Sequence, residues 1–382
     1  MTFALKMPKL ALVGVGAIEE SIENLIGAGY SKPLLVTDET IVKLGLTDKV
    51  TQTLSKHNVE SVLFGHVTPN PTAELVREGK QAYLDNDCDC FIAVGGGSPI
   101  DCAKAIRVMV SNDGDICDYN GINKVKNSGD FFIAINTTAG TSAEMTSNSV
   151  ITDTVTSTKM VIIDDKQIPD IAVNDPTIMI GLPSHVTAST GMDALTHAIE
   201  AFVTPGNHTL TEPTAAEAIK LISQWLPVAV EDGENIEARE KLACGQYLAG
   251  MAFNSAGLGL VHAMAHQPGA THDLPHGVCN AILLPHVCEF NAQQVPERYK
   301  RIAEVMSGKT LDLDDESGAQ LAVKLIQELS DKVKIPSGFE ALGIKEADID
   351  MWIDKALADP CLGGNPRVPT ADEIKNLYVE AL

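Results

Sequence analysis

No stretch of this 382-residue chain is long and apolar enough to read as a membrane span, because its apolar runs are short and broken by glycine or proline. The opening MTFALKMPKLALVGVG has no long apolar core behind a basic cluster, so a secretory signal is not expected. Cysteine is present eight times, yet no CxxC occurs, and Cys88 and Cys90 form the one close pair. That argues against the common thiolate metal knuckles, and in a chain without an expected export signal the cysteines read as reduced, mostly buried thiols of a cytoplasmic protein. Basic residues are few: 28 Lys and Arg face 51 Asp and Glu, a formal net charge of −23. Nucleic acid and anionic membrane both demand a basic surface, so neither is an expected partner. Internal repeats and low-complexity segments are also absent.

What is there divides in two. Apolar β-type runs at 10–13, 34–37, 59–64, 91–94 and 131–135 alternate with helical periodicity at 17–28, 39–57, 72–86 and 98–111. Such alternation predicts βαβ units and a parallel sheet. A hairpin is expected at 149–152 and 159–163, and strand signals fade after about Val173. Beyond Pro183 the pattern is helical, with capping boxes read at Ser317–Gln320 and Thr370–Glu373. The expected organisation is an α/β domain over 1–182 and an all-α domain over 183–382, with a ligand cleft between them.

The second half carries a metal-ligating pattern. Asp193 and His197 are four apart, so a helix places them on one face; His262 and His266 repeat the spacing, and His276 follows in Pro-His-Gly. Seven of the ten histidines fall between residues 185 and 276. Imidazole with carboxylate suits iron, zinc or cobalt without any thiolate. Spacing alone does not choose between His262 and His266.

The first half carries a nucleotide-type turn. The run Phe91-Ile92-Ala93-Val94 leads into Gly95, Gly96, Gly97, Ser98, Pro99, Ile100 and Asp101, then a helix, which offers bare amides and a helix N-terminus to a pyrophosphate. Gly14-Val15-Gly16 imitates the better-known dinucleotide turn, but Glu19 stands where its third glycine belongs, so a structural turn is expected. Asp38 closes the second strand, where a carboxylate either binds the ribose hydroxyls of NAD or caps the next helix. Thr137, Thr138, Thr141 and Ser142 follow the fifth strand and suit phosphate and nicotinamide contacts.

Together these segments resemble the iron-dependent (group III) alcohol dehydrogenases over the whole length, with the lactaldehyde/1,2-propanediol reductase branch nearest in character. The resemblance is carried by GGGSPID (95–101), TTAGTSAE (137–144), the run from Asp175 through Asp193 to Glu200, GLVHAMAHQPGATHDLPHG (259–277) and CLGGNPR (361–367). It implies a dehydroquinate-synthase-like architecture, with a Rossmann-like parallel sheet in the α/β half. It implies metal ligation by Asp193, His197, His262 and His276, with Fe²⁺ or alternatively Zn²⁺, and leaves His266 lining the site. One turn from His262, His266 then reads either as a proton shuttle to solvent or as packing behind the ligands. It also implies NAD contacts at Asp38, Asn70, Gly97, Ser98, Thr137, Thr138 and Lys159, and a substrate channel at Asn148, Phe253 and Cys361. A homodimer acting on a small primary alcohol or aldehyde follows from the same resemblance. Ser142-Ala143 departs from the TTAGTGSE of several relatives, and Leu362 from their polar residue. Of the rival readings, a metalloprotease fails because His262 and His266 enclose only Ala, Met and Ala, leaving no glutamate base. A non-catalytic nucleotide or metal sensor would show tight NAD binding and no turnover.

Overall fold

The structure, a computed structural model, describes residues 2–156 and 158–382. By contacts the chain forms two compact units, one of 6–138 with 142–179, the other of 139–141 and 180–382 with a short N-terminal piece ending at Leu5.

The first unit is built from β1 (Leu10–Val13), α1 (Ala17–Gly27), β2 (Pro33–Val36), α2 (Glu39–Lys43), α3 (Leu46–Lys56), β3 (Val62–Phe64), α4 (Ala73–Asp85), β4 (Cys90–Gly95), α5 (Gly97–Ser111), β5 (Gly121–Ile122), β6 (Phe131–Asn136), β7 (Asn148–Asp153), β8 (Thr158–Ile163) and β9 (Ile171–Asn174). Six strands make one parallel sheet in the order β1-β9-β6-β4-β2-β3. The central strands β4 and β2 are buried along their whole length, which is why they read as unbroken apolar runs. The antiparallel pair β7 and β8 appears as expected, and β5 joins it in a separate three-stranded sheet.

Several local expectations need correction. The helix read over 39–57 is two helices, because Gly45 takes a left-handed conformation (φ 70°) between them. The strand read from Val59 begins only at Val62. β5 and β9 were not foreseen; β9, four residues long, fills the gap between β1 and β6.

The second unit is helical: α6 (Ser184–Val203), α7 (Glu212–Glu231), α8 (Ile236–Ala256), α9 (Leu260–His272), α10 (His276–Ala292), α11 (Pro296–Ser307), α12 (Asp315–Lys332), α13 (Glu346–Leu357) and α14 (Ala371–Glu380). A single apolar core runs through it from Met192 on α6 to Tyr378 on α14. The Thr370–Glu373 capping box is formed. The one read at Ser317 is not: Asp314 caps α12 by accepting from the Ser317 amide, which puts Ser317 inside the first turn. Among the described residues no single helix is long and apolar enough to cross a membrane; α8 and α9 together pass on length and composition only across a 103° bend.

Candidate metal centre and nucleotide turn

The metal pattern converges in the helical unit. Asp193, His262 and His276 come from α6, α9 and the first residue of α10, and one donor atom of each lies within 4.8 Å of the others. Two glycines permit this approach. A Cβ on Gly277 would stand 2.5 Å from the Ser189 carbonyl oxygen, and one on Gly191 would stand 2.3 Å from the Leu226 side chain. Glycine at these points lets α10 and α7 close onto α6.

The electrostatics suit a cation. Burial works against the Asp193 carboxylate, but His197, His276, His262 and a hydrogen bond from Asn280 outweigh it, and its pKa falls below the ordinary value. Burial, acting with the neighbouring imidazoles and opposed by Asp193, drives His262 and His276 well below the usual imidazole range, which favours the neutral rings that have lone pairs to donate.

Behind His262 stands a residue that spacing did not single out for a role. Glu200 lies one turn beyond His197 on α6, and its Oε2 is 2.6 Å from His262 Nδ1. It also accepts from the Gly259 and Val261 amides at the start of α9, 2.9 and 2.7 Å away. A carboxylate there keeps the ring proton on Nδ1 and leaves Nε2 as the free donor. Burial raises the Glu200 pKa to about 7, the two amides opposing.

Asn280, one turn after His276, was also missed. Its Nδ2 donates to Asp193 Oδ1 at 2.6 Å and sits 3.2 Å from His262 Nε2 and 3.0 Å from His276 Nε2. Its Oδ1 is buried with no partner. The signal available in the sequence was position, Glu200 three residues past His197 and Asn280 four past His276.

The fourth expected ligand, His197, stands outside the close trio. Its ring stacks on His262 (centroids 4.6 Å apart) and on Phe253 (4.3 Å), and its buried Nδ1 has no hydrogen-bond partner. An orphaned imidazole nitrogen beside a carboxylate and two neutral imidazoles fits a borderline divalent ion such as iron or zinc. Phe253, read as a substrate-pocket residue, is therefore packed on this histidine. His266 stacks on His276 at 5.3 Å, and its Nδ1 is 2.8 Å from Asp359 Oδ2. Asp359 opens the short helical turn that carries Cys361 and accepts from the Cys361 amide.

In the sheet unit, β4 ends at Gly95 and α5 begins at Gly97 with Gly96 as its cap, so Ser98 and Pro99 lie in the first turn. Gly95 has φ 156°, and a Cβ there would stand 2.5 Å from Pro99 Cγ. Thr138 faces Gly96, and the Thr137 amide donates to the Gly95 carbonyl while its buried hydroxyl is unpartnered. Lys159 Nζ donates to Asn70 Oδ1 at 2.9 Å, joining two of the expected NAD residues. Asp101 Oδ2 accepts from the Val150 amide, and burial raises its pKa to about 6. Asn148 begins β7; its carbonyl accepts from the buried Lys104 ammonium. Ser142 is buried with φ 54°, and Thr141 immediately precedes it. Asp38 Oδ1 caps α2 through the Ile41 amide. The Gly14-Val15-Gly16 turn is filled by the chain itself: Asp175 Oδ2 accepts from the Gly16 amide at 3.1 Å and pairs with Lys49.

Comparison with known proteins adds the following. The iron-containing alcohol dehydrogenase profile matches residues 8–176, and that of the Fe-containing alcohol dehydrogenase family, C-terminal, matches 187–382. The chain is 40% identical to the NAD-dependent methanol dehydrogenase of Bacillus methanolicus, over 98% of this chain and 99% of that one. It is also 40% identical to the lactaldehyde reductase of Escherichia coli (strain K12), over 96% of each. A solved 1,3-propanediol oxidoreductase superposes with a TM-score of 0.98 at 41% identity, covering all of both chains.

Proposed function

The chain belongs to the iron-containing alcohol dehydrogenase family and is an alcohol dehydrogenase, and from that premise we propose that it interconverts a small primary alcohol and its aldehyde with NAD. The observation that carries this is the convergence of Asp193, His262 and His276, with Glu200 fixing His262 from behind. Equal identity to a methanol and a lactaldehyde enzyme supports a short-chain substrate of the ethanol, butanol or 1,2-propanediol type.

Asp193, His262 and His276, with His197 as the fourth, would hold Fe²⁺ or Zn²⁺. When bound, such an ion supplies Lewis acidity toward an alcohol oxygen, and NAD supplies the hydride acceptor. Glu200 keeps the His262 Nε2 lone pair aimed inward, and Asn280 orients Asp193. His266 takes the hydroxyl proton toward solvent, with Asp359 setting its ring orientation through Nδ1. The amides of Gly95, Gly96, Gly97 and Ser98 cradle the pyrophosphate, while Asn70 with Lys159, and Thr137, Thr138, Thr141 and Ser142, contact the rest of the dinucleotide. Asp101 serves that turn by anchoring β7. The second oxygen of Asp38 faces the ribose and repels a 2′-phosphate, so Asp38→Gly is expected to raise use of NADP. Asn148, Phe253 and Cys361 limit the alcohol. The division of labour is a dinucleotide-binding part over 1–182 and a metal-binding part over 183–382. Eight cysteines, none in a disulfide among the described residues, support a cytoplasmic setting. Val13, exposed on the edge strand β1, and Val15, exposed in the turn that follows it, support a homodimer.

The test is NADH formation with propane-1,2-diol, ethanol and butanol, on protein stripped of metal and reloaded anaerobically with Fe²⁺ or Zn²⁺. Turnover is expected to return with the metal and to rank the alcohols. Silence with every metal in protein that still binds NAD would replace the enzyme with a sensor.

A further inference from the structure

A second group of metal-ligating side chains lies on the same helical unit. His266, Asp359 and Cys361 each offer a donor atom, all within 4.8 Å of one another. Asp359 divides its oxygens, Oδ2 lying 2.8 Å from His266 Nδ1 and Oδ1 accepting from the Cys361 amide at 2.9 Å. The carboxylate is thereby fixed between the other two groups. All three residues are half-buried, so a small ion can reach them without unfolding. This set differs in kind from Asp193, His262 and His276: it contains sulfur.

We propose that His266, Asp359 and Cys361 form a second cation site, selective for thiophilic divalent ions such as Zn²⁺ and Cd²⁺. A carboxylate and a thiolate balance a charge of +2, and imidazole completes three of the four ligands that such ions take, leaving the last to water. Burial and Asp359 hold the free Cys361 thiol protonated. As the sulfur–metal bond forms, that proton leaves to solvent, and no oxidant or reductant is involved. The hard ions Mg²⁺ and Ca²⁺ gain nothing from the sulfur and are excluded. Occupancy takes His266 out of proton transfer, so excess zinc would inhibit; that consequence rests on the role given to His266 above, whereas the binding itself does not.

The experiment titrates the metal-loaded enzyme with Cd²⁺ and reads the ultraviolet thiolate-to-cadmium charge-transfer band, with bound metal counted after dialysis. One further Cd²⁺ per chain is expected to bind with the band. The band should vanish in Cys361→Ser, weaken roughly tenfold in apparent affinity in Asp359→Asn, and persist in Cys117→Ser and Cys244→Ser, at the other two half-buried cysteines. In the unaltered enzyme Cd²⁺ should protect Cys361 from alkylation, mapped by mass spectrometry, which keeps the test open if a variant fails to fold. A missing band, a band that survives Cys361→Ser, or an unprotected Cys361 overturns the site. Binding with undiminished turnover keeps the site and removes His266 from the proton path.

Discussion

Glu200 and His262 are joined by a 2.6 Å contact between a carboxylate oxygen and Nδ1, both side chains almost wholly buried. The contact decides which ring nitrogen is free. Glu200→Gln keeps the shape but weakens that control, so metal retention against a chelator should fall roughly 10–100-fold. Unchanged retention would reduce Glu200 to a cap for α9.

Asn280 predicts a difference between two states of the protein. Its Nδ2 is the side-chain donor on the buried Asp193 carboxylate, so Asn280→Ala strands a charge. The loss should be on the order of 1–3 kcal/mol in metal-stripped protein and smaller once metal is restored. Denaturation of both forms by urea checks it; equal losses would contradict the assignment.

Gly277 sets how closely α10 approaches α6. Gly277→Ala puts a methyl 2.5 Å from the Ser189 carbonyl oxygen, and backbone must move to admit it. The expected cost is about 1–3 kcal/mol of stability, with His276 displaced and metal content reduced. Thermal melting and metal analysis of one preparation would decide both.

Lys104 gives a pH dependence with a definite sign. Burial, opposed by Asp101 and Glu144, lowers its pKa from 10.5 to about 8, and its ammonium donates to Thr146 and Asn148. Between about 8 and 10.5 the unfolded chain holds this proton more tightly than the folded one. Lys104 therefore costs stability below pH 8, and the cost is relieved as pH rises, by on the order of 3 kcal/mol in full. Buried tyrosines and cysteines pull the other way, so the quantity to measure is the difference between the native enzyme and Lys104→Met. That difference should shift in favour of the native enzyme on going from pH 7.5 to 10.

What the sequence made readable follows from range. β2 and β4 declare themselves because burial on both faces leaves them no polar residue, and α4 through an unbroken amphipathic period. The division of the helix read over 39–57 was hidden because its apolar period runs through Gly45, whose left-handed turn is a backbone property. Ser317 misled because three acidic residues compete with it for the cap, and Asp314 wins. That Asp193 and the histidines of 262–276 would converge was legible through helical spacing, whereas the choice of His262 over His266 came from the family resemblance. Glu200, Asn280 and Asp359 were not given their roles, because their partners lie 62, 87 and 93 residues away. Only adjacency of helices reveals such pairs.

Two glycine turns join strand to helix in the sheet unit, and they answer differently to their surroundings. The turn at Gly14–Gly16 is closed by Asp175, an anion tethered to the same chain. Its effective concentration cannot be diluted away. That corner should keep the same hydrogen-exchange protection in a starved cell and a fed one. At the Gly95–Gly97 turn no side chain caps the helix among the described residues, and under the dinucleotide role proposed for it its protection should track the supply of NAD. On the proposed function, the fold sets a corner occupied by its own chain beside one whose occupancy follows the cofactor, so the ratio of their protection would gauge cofactor saturation.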